Sequence, residues 1–238
     1  MRVPSTEVQN NFGKFLKYAE AGEEIIVTRN GKDRVSMTAI PDMTLREEAA
    51  LYASSGDRVT YEEFLELTEN SELRYELIDG IVYNLASPSF KHQRAVHELH
   101  GTFYVWFKGK SCTPLTSPFD IKLIKSVDNI CVVQPDLFVI CDSSNVDNKG
   151  KYLGIPTLVV EVLSPSTRSK DLLKKLDLYL ECDIREYWIV NPDQDQVLVY
   201  AMENKQITRT GMFAKSTHSH VTSFHFEGLA VDIQELFM

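Results

Sequence analysis

The chain of 238 residues lacks several features that would settle its class at once. No apolar run approaches the ~18–20 residues that a membrane-spanning helix needs. The opening stretch MRVPSTEVQNNFG has neither the apolar core nor the small-residue cleavage pattern of a secretory signal. Cysteine is scarce, with four in all: Cys112, Cys131, Cys141 and Cys182. None form a C-x-x-C pair and no histidine pair stands at zinc spacing, so free thiols in a reducing cytoplasm are the expectation. Positive charge is in deficit: 25 Lys and Arg stand against 34 Asp and Glu, a formal net charge of −9. Bulk attraction to nucleic acid is therefore not expected, and such a role would have to rest on local basic patches with a metal ion offsetting carboxylates. Internal repeats and low-complexity tracts are also missing. What is present is an apolar content of 43%, enough for a packed core and too much for a disordered chain.

Two segments differ in character. In residues 1–42, Val8, Phe12, Phe15, Leu16 and Ala19 follow helical spacing, and Ala21-Gly22 ends that helix. A strand at 24–28 and another at 34–40 flank Arg29-Asn30-Gly31-Lys32, a hairpin signal. A helix and a hairpin in ~40 residues make too small a core to stand alone, so this module calls for a partner or a dimer. Residues 43–59 read as a helical linker ending in a loop. Thr60 then looks like a helix N-cap, with Glu63 completing a capping box.

The second module, 60–200, opens on strands at 74–78 and 81–85 around Asp79-Gly80, a two-residue hairpin. A helix over 89–108 follows, with Val96, Leu99, Phe103 and Trp106 or Phe107 on one face. Strands are expected near 115–124, 131–140, 157–163 and 186–190, with a helix over 168–182 between the last two. The order after the hairpin is α-β-β-β-α-β, a mixed α/β core. Another strand follows at 197–201, and residues 201–238 form a strand-rich extension with no clear motif.

Two carboxylates break the local pattern. Glu161 sits in Leu158-Val159-Val160-Glu161-Val162-Leu163, a run that reads as a strand covered on both faces. A carboxylate there costs several kcal/mol unless it is paired or binds a cation. The plainer account is a strand-end glutamate that reaches solvent or an arginine. Asp136 lies in an equally apolar run, 132–140, just after Pro135, where a bend or sheet edge is favoured; it could equally be a polar residue at that bend. On adjacent strands the two would repel unless neutralised. Magnesium, bound through one or two carboxylates with several waters retained, would do this. Downstream, Asp171, Lys175 and Tyr179 are spaced i, i+4, i+8 and share a helix face. Lys175 is thus a candidate to orient a water or stabilise a phosphoryl transition state, or else a surface lysine paired with Asp171. Arg168, Lys170 and Lys174 could meet a phosphate backbone or simply form a solvated face.

Pro135-Asp136 followed by Glu161 in this order of elements resembles the PD-(D/E)XK nuclease superfamily. The closer resemblance is to the Uma-type restriction endonuclease family. The stretches that carry it are Tyr75-Glu76-Leu77-Ile78-Asp79-Gly80, Ser87-Pro88-Ser89 with His92, Pro135-Asp136, and Val160-Glu161-Val162-Leu163-Ser164-Pro165-Ser166-Thr167. They continue with Asp171, Lys175, Tyr179 and Glu186-Tyr187-Trp188-Ile189-Val190. The resemblance implies a three-layer restriction-endonuclease-like core. It implies Asp136 and Glu161 as ligands of Mg2+ (or Mn2+), Glu76 as a third acidic group, and DNA as substrate. It also implies a lysine two residues after the second acid, where this chain has Leu163. Either Lys175 substitutes from the helix or the site is catalytically compromised. His92 would help position substrate, or is structural.

Residues 1–42 resemble the Phd/YefM antitoxins, through Ser5-Thr6-Glu7-Val8, Asn11-Phe12, Phe15-Leu16, Gly22-Glu23-Glu24 and the hairpin. This resemblance implies a homodimer and a possible toxin partner; six basic residues there balance six acidic ones, so DNA binding by this module is not demanded. Three functions compete: a metal-dependent DNA endonuclease, an inactive nuclease-fold regulator, and a metal phosphoesterase acting on a small molecule. The position of the Lys175 amine separates the first two.

Overall fold

A computed structural model of the protein describes residues 2–10, 12, 15, 25–37, 58–69, 71, 73–164 and 174–238. The chain separates into two units, Met1–Glu47 and Glu48–Met238. In the first, β1 (Arg2–Pro4) runs parallel to β2 (Ile25–Arg29), and β3 (Lys32–Met37) returns antiparallel to β2. Asn30 and Gly31 both have positive φ, 55° and 72°, the geometry that joins two-residue hairpins. α1 (Ser5–Asn10) places Val8 against Val3, Phe15 and Ile25. The sequence pattern gives no sign of β1, because three residues are too few to display a period. The expected end of the first helix at Ala21-Gly22, residues 38–42 and most of the linker lie outside the described residues.

The second unit begins with the expected capping box. The Thr60 hydroxyl accepts from the Glu63 N–H and the Glu63 carboxylate accepts from the Thr60 N–H, starting α2 (Tyr61–Thr68). Then come β4 (Tyr75–Ile78), β5 (Ile81–Asn84), α3 (Phe90–Phe107), β6 (Thr113–Thr116), β7 (Ile121–Ser126), β8 (Asn129–Val133), β9 (Leu137–Ile140) and β10 (Leu158–Val162). α4 (Leu176–Glu181), β11 (Glu186–Asn191), β12 (Gln196–Glu203), β13 (Gln206–Ala214), β14 (His220–Thr222), β15 (Ala230–Asp232) and α5 (Ile233–Leu236) complete it. The β4–β5 turn again has positive φ at both positions, 50° at Asp79 and 78° at Gly80. A side chain at Gly80 would also meet Arg58, whose Cβ lies 2.6 Å from where a Cβ would stand.

A six-stranded sheet has the order β13-β12-β11-β10-β9-β6, with only β10 and β11 parallel. A second sheet has the order β5-β4-β8-β7. The expected strands near 115–124 and 131–140 each divide in two, with the halves in different sheets. Proline is the physical reason in both cases. Ser117-Pro118 lies between β6 and β7, Gln134-Pro135-Asp136 lies between β8 and β9, and proline cannot donate to a ladder. The chain thus crosses from the small sheet to the large one immediately before Asp136.

Strand alternation divides the core around β10. Leu158, Val160 and Val162 face α3, through Ala95, Leu99 and Phe103, and join Trp188 and Val190. Val159 and Leu163 face the other way, with Leu178 and Tyr179 of α4, Val133 and Ile121 of the small sheet, and Tyr187. Glu161 shares that second face. No helix among the described residues is long and apolar enough to cross a membrane.

One expectation is overturned. Cys112 and Cys141, one residue beyond the paired ends of β6 and β9, form a disulfide, while Cys131 and Cys182 are free and buried. The pairing is non-local, 29 residues apart, and only the β6–β9 register brings it about. Burial pushes the Cys182 thiol up to about 12 and raises that of Cys131, so neither is a thiolate at neutral pH. Protein unfolded without reductant should therefore show two titratable thiols per chain, and reduced protein four; the two should be silent in the folded protein. Four thiols before reduction would contradict the pairing.

Candidate active site

The ladder between β9 and β10 pairs Val160 with Leu137. One step further along, Asp136 stands opposite Glu161. There the ladder has opened, and the Asp136 carboxylate takes the place of a backbone acceptor: its Oδ2 accepts the Val162 N–H at 2.8 Å. The two acids therefore meet at a single peptide unit, Glu161–Val162. The same Asp136 oxygen lies 3.1 Å from His92 Nε2. His92 is buried in the first turn of α3, whose N-cap is the Ser89 hydroxyl.

Glu161 is 3% exposed and its Oε1 accepts two hydrogen bonds, from Lys175 Nζ at 2.6 Å and from the Tyr179 hydroxyl at 2.6 Å. Lys175, at the start of α4, is itself only 2% exposed. Its amine also lies 2.9 Å from Glu76 Oε1 on β4, and Glu76 is fully buried. The same Glu76 oxygen accepts the Gln134 N–H at 2.9 Å, where β8 ends. One ammonium thus bridges a carboxylate of the small sheet and a carboxylate of the large one. The third, Asp136, sits where the chain passes between them.

Of the residues singled out in the sequence, Glu76, His92, Asp136, Glu161 and Lys175 come together. Lys174 does not join them: its amine hydrogen-bonds the Tyr83 hydroxyl and lies over that ring. Arg168, Lys170 and Asp171 lie outside the described residues. Leu163 packs in the core beside Leu178 and Tyr179. Sequence reasoning missed the hydroxyl of Tyr179 and the backbone donors of Gln134 and Val162. The i, i+4 spacing of Lys175 and Tyr179 was the available signal for the first; nothing local signals the others. It also missed Glu186, a fully buried carboxylate at the head of an apolar strand, the same kind of irregularity as Glu161. Glu186 lies on the opposite face of the large sheet. It accepts from the Trp188 indole, the Ser223 hydroxyl and the backbone of Phe224 and His225, and so fixes the C-terminal segment. Burial raises the pKa of its carboxyl against those donors.

The donor set can be tested against a divalent cation. Glu76 and Glu161 lie at hydrogen-bond distance from the Lys175 ammonium, and Asp136 stands beside Glu161 at the Val162 N–H, so three carboxylates gather in a poorly hydrated place. Asp136 Oδ1 takes none of the described hydrogen bonds, and that side chain is 17% exposed, so an ion from solvent can reach it. Carboxylate oxygens are hard donors suited to Mg2+ or Mn2+. No three His, Cys, Asp or Glu side chains among the described residues converge into a cage, so an ion held by Asp136 and Glu161 would keep much of its water shell. The residues fit such an ion.

Removing the bridge should cost more than removing what it bridges. Lys175→Met leaves Glu76 and Glu161 buried without their shared cation and is expected to destabilise the protein by about 3–5 kcal/mol. Adding Glu161→Gln should recover part of that loss. Denaturant unfolding of the single and double variants reads both; a Lys175→Met loss under about 1 kcal/mol would contradict the bridging role.

The crystal structure of a putative nuclease belonging to DUF820, from Anabaena variabilis ATCC 29413, superposes with a TM-score of 0.61 at 22% identity, covering 75% of this chain and 97% of that one. At that identity the match speaks to fold alone. An uncharacterized protein of Synechocystis sp. strain PCC 6803, slr1290, is 29% identical over 145 residues, 60% of this chain and 74% of that protein. The model of the Uma2 family, described as "Putative restriction endonuclease", matches residues 61–233, from the first residue of α2 into α5 and across every element of the site. The chain belongs to the Uma2 family.

Proposed function

We propose that the second unit is a divalent-metal-dependent endonuclease that hydrolyses phosphodiester bonds of DNA. The observation that carries this reading is the Lys175 amine, 2.6 Å from Glu161 and 2.9 Å from Glu76. It supplies a cation beside the paired acids in a chain whose strand offers Leu163 at the position where the nuclease superfamily keeps its lysine.

In this reading Asp136 and Glu161 hold Mg2+ or Mn2+, which would lower the pKa of a bound water and offset charge on a phosphoryl oxygen. His92 orients Asp136 through the 3.1 Å contact and keeps one carboxylate oxygen turned toward the Val162 N–H. Lys175 donates hydrogen bonds toward both carboxylates, and it orients the attacking water or steadies charge on the phosphoryl group. Glu76 and Tyr179 fix where that amine and its partner Glu161 point. The reading includes a homodimer joined through the N-terminal unit. The described apolar core of that unit is small, Val3, Val8, Phe15 and Ile25 with Val27 and Met37 against it.

The alternative, an inactive regulator with a nuclease fold, draws on the burial of Leu163 and separates cleanly in one assay. Purified protein should nick supercoiled plasmid only with Mg2+ or Mn2+. Asp136→Asn and Glu161→Gln should lower the rate by a factor on the order of 100 or more, as removal of a catalytic electrostatic group does. No nicking with either ion, or equal nicking by all three proteins, would sink the nuclease reading in favour of the regulator.

A further inference from the structure

A second ion cluster lies on the other side of α4, with its charges reversed. Lys125, on the edge strand β7, is held by three carboxylates: Asp79 Oδ1 at 3.0 Å, Asp177 Oδ2 at 3.4 Å and Glu181 Oε2 at 3.2 Å. Its side chain is 10% exposed, whereas the three acids are 32%, 61% and 45% exposed, so the lysine is the enclosed member. Asn129 adds a 2.8 Å hydrogen bond to the same Asp79 oxygen. Burial pulls the Lys125 ammonium down, but the hydrogen bonds to Asp79 and Glu181 outweigh it and hold the group above the usual lysine range.

The placement of these groups matters more than their number. Asp177 and Glu181 are i, i+4 on α4, and Lys175 and Tyr179 are i, i+4 on the same short stretch, rotated by about 200° at 100° per residue. One stripe is pinned to the carboxylates of the site and the other to Lys125. The same holds for the β4 hairpin: Glu76 lies on the strand and contacts Lys175, while Asp79, at the turn, contacts Lys125. The two clusters therefore tie the same pair of elements, β4 and α4, at two points. α4 buries Leu178 and Tyr179 in the core on one stripe, and the Lys125 contacts hold the opposite stripe, which carries Asp177 and Glu181.

We infer that Lys125 is a positioning residue. It sets the rotation and height of α4 against the β4–β5 turn, so that the Lys175 amine spans Glu76 and Glu161. The inference rests on the nuclease reading only for its effect on cleavage; its effect on the amine stands separately. Without the Lys125 ammonium, Asp177 and Glu181 face Asp79 with like charge, and the helix turns or shifts away from β4. Lys125→Arg, which keeps the charge and the donors, retains the position.

The test uses the full chain as wild type, Lys125→Met and Lys125→Arg. Amine reactivity of Lys175 is read by pulse reductive methylation and mass spectrometry, and Mg2+-dependent plasmid nicking is run in parallel. Lys125→Met should raise the labelling rate of Lys175 on the order of tenfold or more. Misplacement of a positioned group costs up to about 100-fold in rate, so kcat should fall by at least about tenfold with KM for plasmid held within about twofold. Lys125→Arg should match wild type in both. Folded Lys125→Met with wild-type labelling of Lys175 overturns the inference, as does Lys125→Arg behaving like Lys125→Met. Should Lys125→Met fail to fold, Asp177→Asn with Glu181→Gln removes the helix side of the clamp while leaving Lys125 on Asp79, and the same labelling decides. If wild type does not cut DNA, the nuclease reading falls while labelling still judges Lys125.

Discussion

Two glutamates, Glu76 on the small sheet and Glu161 on the large one, are removed from water by the way the chain packs, and the Lys175 ammonium at the start of α4 joins them. Each carboxylate alone would cost several kcal/mol in this interior. Lys175 serves both at hydrogen-bond distance, and the Tyr179 hydroxyl supplies a second donor to Glu161. The arrangement requires that β4, β10 and α4 be placed together, so the site is also a joint of the fold. Asp136 stands beside the same peptide unit, and in the proposed reading it joins Glu161 in holding a cation from solvent.

The joint exists because two prolines interrupt what would otherwise be long strands. Pro118 and Pro135 send the chain between sheets, and the second crossing delivers Asp136 with its side chain accepting the Val162 N–H. An uninterrupted strand at 131–140 would have spent that N–H on a backbone carbonyl and left the aspartate no such anchor. α3 then closes the arrangement from one side, carrying His92 to Asp136, while its apolar face packs on β9, β10 and β11.

Much of this is legible in the residues. The capping box at Thr60 and Glu63, the two hairpins with Asn-Gly and Asp-Gly turns, and the all-buried strand around Glu161 are local patterns with local causes. Glu161 stands out in sequence because it violates the pattern around it, and Lys175 and Tyr179 because their spacing gives them one helix face. What could not be read is non-local. The sharing of one amine by Glu76 and Glu161, the division of two strands between sheets, the Cys112–Cys141 pair and the Lys125 clamp all depend on which elements become neighbours. Periodicity marks the face a residue occupies and is silent about what meets that face.

In the proposed reading, Asp136 and Glu161 form a cation site beside the Lys175 bridge. Mn2+ binding to the purified protein, followed by electron paramagnetic resonance with unfolding monitored alongside, tests it without requiring any substrate. Saturable Mn2+ binding that is lost in folded Asp136→Asn and displaced by Mg2+ is the expected result. Absence of binding in the wild type, or binding unchanged by Asp136→Asn, would contradict it.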